Sequence, residues 1–336
     1  MPRLKLFVLK LIALMQRHPG MVAAFGFASG VASFLLVERK AELAKVLALV
    51  LLISWLWLTL ENTLRDRIAK RFGFVLPPPV VRYATQMIHQ ESLFFVLPFF
   101  FITTTWNSSQ LLFSGLLAIA ALISITDPLY YRWLAPKRWL YLTYHSLTLF
   151  AVLLTALPVI FKLTTKQSYE LALVVAMLLS LPSMFAVVKV RRWWRWLLLL
   201  TLPLALGASG WWLRAWVPPA TLWLNEVAIS QQFDNRLRMP GSTLEHLTLA
   251  ELQSQGLYAY TAISAPRGLN ERIYHVWRYE GREIDRIALD IHGGRKEGYR
   301  AWTHKQKFPQ NAVGDWQVQV VTEAGQMIGV LRFQVE

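Results

Sequence analysis

Two periodicities divide the chain. Through residue 217, apolar residues gather in long runs at roughly 20–37, 43–60, 87–106, 110–126, 139–161, 168–188 and 194–217. Beyond Pro218-Pro219 the runs shorten to strand length and alternate with polar positions. A run of about 20 apolar residues, coiled as a helix, matches the hydrocarbon thickness of a bilayer. The first pattern therefore predicts a polytopic membrane domain of about seven transmembrane helices. The last run is the best marked. Lys189, Arg191 and Arg192 precede it, and Trp193, Trp194 and Trp196 at one end and Trp211, Trp212 and Trp216 at the other make aromatic belts. Leu4 to Met15 is too short to cross and carries Lys5 and Lys10. It is expected to lie on the membrane surface and not to act as a cleavable signal peptide. Asn62 to Phe74, with Leu64, Ile68 and Phe72 on one face, is read the same way. Pro98, Pro158, Pro182 and Pro203 fall inside runs, where each removes a backbone donor and favours a kink.

The second pattern predicts strands at Val227–Phe233, Leu257–Ser264, Ile273–Tyr279, Ile284–Ile291, Tyr299–Lys305, Trp316–Thr322 and Met327–Val335. Between the first two, Thr248-x-x-Glu251 has capping-box spacing and Gly256 can end a short helix. Glu280-Gly281, Gly293-Gly294 and Ala324-Gly325 supply turns. Seven short antiparallel strands imply an all-β immunoglobulin-like sandwich. The expected organisation is a multi-pass membrane domain over 1–217, a linker over 218–224 and a β-sandwich over 225–336.

Charge fixes the direction. Residues 225–336 carry 13 basic and 13 acidic side chains, so the whole net charge of +15 lies in 1–224. There, sixteen Lys and Arg fall on one side of the predicted crossings and four on the other. That sorting is the signature of membrane orientation, not of a phosphate-binding surface. It places the amino terminus inside and the β-domain outside, which for a bacterial inner membrane is the periplasm, and it argues against nucleic acid. Cysteine is absent, which excludes disulfides and thiolate chemistry.

Ionisable residues inside apolar runs are costly and so are candidate functional groups. His89 and Glu91 open the third run, Asp127 closes the fourth and His145 lies about one turn into the fifth. Two imidazoles and two carboxylates at one depth could relay protons or hold a metal; as headgroup-level helix caps they would do neither. No His-Glu-x-x-His signature, nucleophile elbow or phosphate loop occurs, so no metal, cofactor or catalytic residue is predicted and an enzyme is not favoured.

Late in the chain, His275-x-Trp277-x-Tyr279-x-Gly281-Arg282, Arg300-x-Trp302-Thr303-x-Lys305, Gly314-x-Trp316-x-Val318-x-Val320 and Phe333-x-Val335 follow one another. This pattern, over about the last 70 residues, resembles the bacterial family called domain of unknown function 2914. The whole layout is similar to proteobacterial inner-membrane proteins whose first half is domain of unknown function 5924. Tyr299-Arg300-Ala301-Trp302-Thr303 departs from the Trp-Arg-Thr-Trp-Ser of that family at three places. The resemblance implies no activity. His275, Trp277 and Tyr279 on one strand and Arg300, Trp302 and Lys305 on another could form an aromatic and polar platform for a sugar ring; equally, the tryptophans could be core. The leading expectation is a non-enzymatic membrane protein that presents a periplasmic binding module to a partner protein or envelope glycan. The alternative is a small-solute transporter, or a membrane-embedded lipid- or envelope-modifying enzyme, working at His89, Glu91, Asp127 and His145.

Overall fold

The computed structural model describes residues 78–187 and 194–336, together with 46, 48–55 and isolated positions before residue 71. The runs expected over 20–37 and 43–60, and the surface helices over 4–15 and 62–74, lie largely outside the described residues. Five long helices follow: α1 (Pro78–Thr103), α2 (Gln110–Ile125), α3 (Arg138–Phe161), α4 (Thr165–Val187) and α5 (Trp194–Trp212). A π-helical segment, Pro128–Leu134, joins α2 to α3 after a 101° bend. A 3₁₀ turn, Leu213–Trp216, ends α5.

Each helix overlaps an apolar run, though α1 starts at Pro78, well before the run expected from residue 87, and the expectation of about seven crossings does not hold at that number. Among the described residues two helices, Arg138–Phe161 and Trp196–Trp216, are long and apolar enough to cross, or three if the bent pair counts as one span. Two of the seven expected runs lie largely outside the described residues, and two of the described helices fall short for physical reasons. Gln86, His89, Gln90 and Glu91 dilute α1, and α2 has only 16 residues.

The carboxy-terminal part is all-β apart from one short helix. Its strands are β1 (Trp223–Ser230), β2 (Phe233–Asp234), β3 (Met239–Pro240), β4 (His246–Leu247), β5 (Leu257–Ser264), β6 (Asn270–Tyr279), β7 (Arg282–His292), β8 (Tyr299–Lys305), β9 (Gly314–Thr322) and β10 (Met327–Val335). They form a three-stranded sheet, β1-β5-β8, a five-stranded sheet, β4-β10-β9-β6-β7, and the β2–β3 hairpin. Inner positions of the two larger sheets share one core, built around Trp277, Trp316 and Phe333. The first strand starts earlier than expected because Trp223 and Leu224 already pair with β5. A bulge before Glu226 and a run of exposed positions hide its alternation.

Local chemistry explains the punctuation. The α6 helix (Leu249–Gln255) opens on the full Thr248–Glu251 capping box. At Gly256, φ is +71° and any Cβ would strike the Lys305 backbone, so glycine ends the helix there. Glu280 and Gly281 both have positive φ, the requirement of a tight hairpin turn between β6 and β7.

The chain separates into two compact units. One comprises 1–98, 115–156 and 174–206; the other comprises 99–114, 157–173 and 207–336. The second unit thus holds helix ends together with all the strands. Within it, the β9–β10 turn and the start of β6 are bonded to those ends. Gln110 donates its side-chain amide to the Met327 carbonyl (2.8 Å) and Arg214 donates to the Ala324 carbonyl (2.8 Å). Gln326 donates to the Val217 carbonyl (2.8 Å), and Lys166 pairs with Glu323 (3.1 Å). Glu271, buried, accepts from the backbone N–H (2.8 Å) and hydroxyl (3.1 Å) of Thr165, at the amino terminus of α4. Burial pushes the Glu271 carboxyl up to about 7, against those two hydrogen bonds.

Candidate functional site

The platform expected in the β-region does not assemble. β6 turns His275 and Trp277 inward, both with 0% exposure. His275 is bolted between two threonines of the facing sheet, Nε2 to Thr261 Oγ1 and Nδ1 to Thr303 Oγ1, each at 3.1 Å. Burial drives its pKa down to about 3, so the imidazole is neutral. Tyr279 stacks on Trp316 and donates its hydroxyl to the Val313 carbonyl (2.7 Å). Lys305, also inward, clips β8 to β7 through Asp285 (2.9 Å). These four residues are core and edge structure.

Arg300 and Trp302 point the other way, to the outer face of the three-stranded sheet. There Trp302, half-buried, packs 4.6 Å from Phe233, and Tyr258 stacks on His304 at 3.9 Å. Arg300 donates to the Leu237 carbonyl (3.0 Å) and so fastens the β2–β3 hairpin across this face. Alternation along β8 already puts His304 on the face of Arg300 and Trp302, with Lys305 opposite, but Phe233 and Tyr258 were missed. The register of β5 against β8, which sets Tyr258 opposite His304, could have found Tyr258; Phe233 had no such signal.

The helical set fares differently. His89, with 0% exposure on α1, shares a hydrogen bond with His145 of α3 (Nε2 to Nδ1, 2.9 Å) and another with the Tyr130 hydroxyl (Nδ1, 2.8 Å). Trp55 packs over His145 at 4.5 Å and donates its indole N–H to Ser92 (2.9 Å). Asp127 does not reach the imidazoles; Gln86 donates to it (2.9 Å) and to the Ser124 carbonyl (3.0 Å). Glu91 lies two positions from His89, about 200° around the helix, and is bonded to Ser29 instead. Two of the four predicted residues therefore converge, Tyr130 completes their group, and Gln86 belongs with Asp127. Polar residues at 85, 86, 89 and 92 follow helical spacing, a signal that could have found Gln86. The Tyr130 partnership had no such signal, because it depends on how the π-helical segment packs.

Tyr130 also lines a cavity of about 390 Å³ with Val81, Arg82, Thr85, Tyr131, Ala135, Pro136 and Tyr141. Its polar lining has one guanidinium, phenolic hydroxyls and no carboxylate, a composition suited to an anionic group. Among the described residues, no three His, Cys, Asp or Glu side chains are grouped as a metal ion would require.

A helical part with a buried histidine pair beside a cavity, followed by an all-β module, defines the class of this protein. The chain belongs to the Family of unknown function (DUF5924), whose profile matches residues 1–259. Residues 270–335 match a second profile, Protein of unknown function (DUF2914). No curated protein and no solved structure matches the chain.

Proposed function

We propose that this is a multi-pass protein of the bacterial inner membrane whose helical half does the work. In this reading it binds a small anionic solute or lipid headgroup, as a transporter or as a lipid- or envelope-modifying enzyme. The observation that carries the proposal is the position of Tyr130, which lines the cavity and bonds directly to the buried His89. A buried polar group at membrane depth is retained at a cost, and here it communicates with an open, cationic recess. The sixteen-to-four sorting of basic residues supports an inner amino terminus and a periplasmic β-module. Leaving aside the two-residue β4, the strand order β1-β5-β8 against β10-β9-β6-β7 supports an immunoglobulin-like sandwich, because the chain crosses between sheets after two strands, after a hairpin, and after one strand.

Native mass spectrometry of full-length protein from phosphatidylglycerol and phosphatidylcholine nanodiscs tests the site. Retention of the anionic lipid that Arg82→Gln abolishes is the expected result. No retained anion, or retention indifferent to Arg82, would remove the reading. A carboxy-terminal alkaline phosphatase fusion tests the orientation, and should be active. A second reading keeps the β-module as the binding element, through Trp302, Phe233 and the Tyr258–His304 stack, with envelope glycan as its ligand. Muropeptide binding lost in Trp302→Ala would favour it.

A further inference from the structure

The bonds around His89 form an unbroken string. The Tyr130 hydroxyl meets Nδ1, Nε2 meets His145 Nδ1, and Tyr130 is itself hydrogen-bonded to Tyr141, which also lines the cavity. Phenol and neutral imidazole each donate and accept, so the string has two self-consistent arrangements. In the first, Tyr130 donates to His89 Nδ1, His89 donates from Nε2 to His145, and the His145 proton sits on Nε2. In the second, both rings carry the other tautomer: His145 donates from Nδ1, His89 donates from Nδ1 to the phenol oxygen, and the hydrogen on Tyr130 points toward Tyr141.

We propose that Tyr130, His89 and His145 are a proton relay joining the Arg82–Tyr131 cavity to the far side of His145. The inference rests on the helical half being the working part and gives that site its chemistry. One proton arrives on the Tyr130 oxygen from the cavity as that oxygen gives its own proton to His89 Nδ1. His89 passes its Nε2 proton to His145 Nδ1, and His145 releases one from Nε2. One proton enters and one leaves, no electrons move, and no charge rests on any of the three groups afterwards. The reverse transfer, in which a proton enters at His145 Nε2 and one leaves from the Tyr130 oxygen to the cavity, resets the string.

The surroundings fit a hand-off and not a fixed charge. An imidazolium at His89 would have no exposure, and among the described residues no carboxylate joins the histidine pair, so a resting charge there would be costly. Tyr144 packs edge-on against His89, but its hydroxyl donates to the Ala120 carbonyl (2.8 Å), which keeps it out of the string. Asp127 is held by Gln86. His145 is part-buried, and in this relay its Nε2 side is the outlet.

Nitrogen-15 NMR of histidine-labelled, full-length protein in nanodiscs tests this without any ligand, with His89→Gln and His145→Gln assigning the signals. Both His89 nitrogens are expected at shifts intermediate between protonated and bare, because the two arrangements exchange. In Tyr130→Phe, which cannot accept from Nδ1, His89 should collapse onto the Nε2–H form, with loss of the exchange. A single fixed tautomer in the wild type, or a doubly protonated His89 at pH 7, would overturn the relay. Loss of anion retention at Arg82 would leave these signals untouched, so the two failures are distinguishable. If Tyr130→Phe does not fold, His145→Phe takes its place: with no acceptor left for Nε2–H, His89 should settle on the Nδ1–H form, which supports the relay, whereas continued exchange overturns it.

Discussion

His89 and His275 are equally buried and each makes two side-chain hydrogen bonds, yet they stand in opposite situations. The partners of His275 are Thr261, which also donates to the Ala301 carbonyl, and Thr303; both hydroxyls lie inside the core and the chain of bonds stops there. The partners of His89 are themselves proton carriers, and one of them opens on a cavity. Burial and hydrogen bonding are common to both. What separates a bolt from a candidate site is whether the string of polar groups leads anywhere.

The largest test of the bolt concerns its partners. The second profile, 270–335, contains Thr303 but not Thr261, and β8 pairs only with β5, which lies before it. A fragment of 270–336 should show no cooperative unfolding, whereas one beginning at Pro218 should melt as a unit; circular dichroism melts would separate them. Within the longer fragment, His275→Ala leaves two buried hydroxyls short of a partner and a cavity behind, at a cost of about 2–4 kcal/mol in urea unfolding. The pH dependence has a definite sign. A base lowered from 6.5 to about 3 on folding lends stability that is complete above pH 6.5 and is lost as pH falls toward 3. His275→Gln should therefore flatten the acid limb of unfolding midpoint against pH by close to one proton.

How much of this was legible beforehand follows from what each pattern encodes. β5, β8 and β10 could be read to the residue, because each is a short β-prone run bounded by breakers or turns, and alternation is clear in β8 and late in β10. Alternation also put His275, Trp277 and Tyr279 on one face. It gives parity, though, and not polarity: with Val276 buried as well, nothing in β6 says which face is the core. For Trp302 the answer depended on a hairpin folding over it. In the helical half the apolar runs marked where the helices lie, though not that α1 begins at Pro78, and His89 and His145 are 56 residues apart. Their meeting is a property of packing, and so is the 101° bend that brings Tyr130 to them.

Smaller effects sharpen the same contrast between a buried group and its surroundings, now at two neighbours on β6. Glu271 accepts from Thr165 and is raised from 4.5 to about 7. Its contribution to docking on α4 is complete below pH 4.5 and is lost as pH rises through about 7, the reverse of His275. Glu271→Gln keeps an acceptor for Thr165 without the buried charge. At pH 8 it should tighten this contact by on the order of 1–3 kcal/mol, and at pH 5 it should change little. Amide hydrogen exchange of residues 163–168 and 268–274 in the full chain reads this directly, and equal protection in both proteins at pH 8 would contradict it.

Arg272, the next residue, points into solvent and pairs with Asp290 at 2.8 Å, with both side chains more than half exposed. Asp290 and Arg272 hold each other's charged forms, but water and salt screen the pair and both side chains lose freedom to make it. Arg272→Ala should leave the urea midpoint of the 218–336 fragment unchanged within error, at low and high salt alike. A clear loss at low salt that vanishes at high salt would mean that the exposed face of β6 contributes to stability, and that the division between the inward and outward residues of this strand is less sharp than their burial implies.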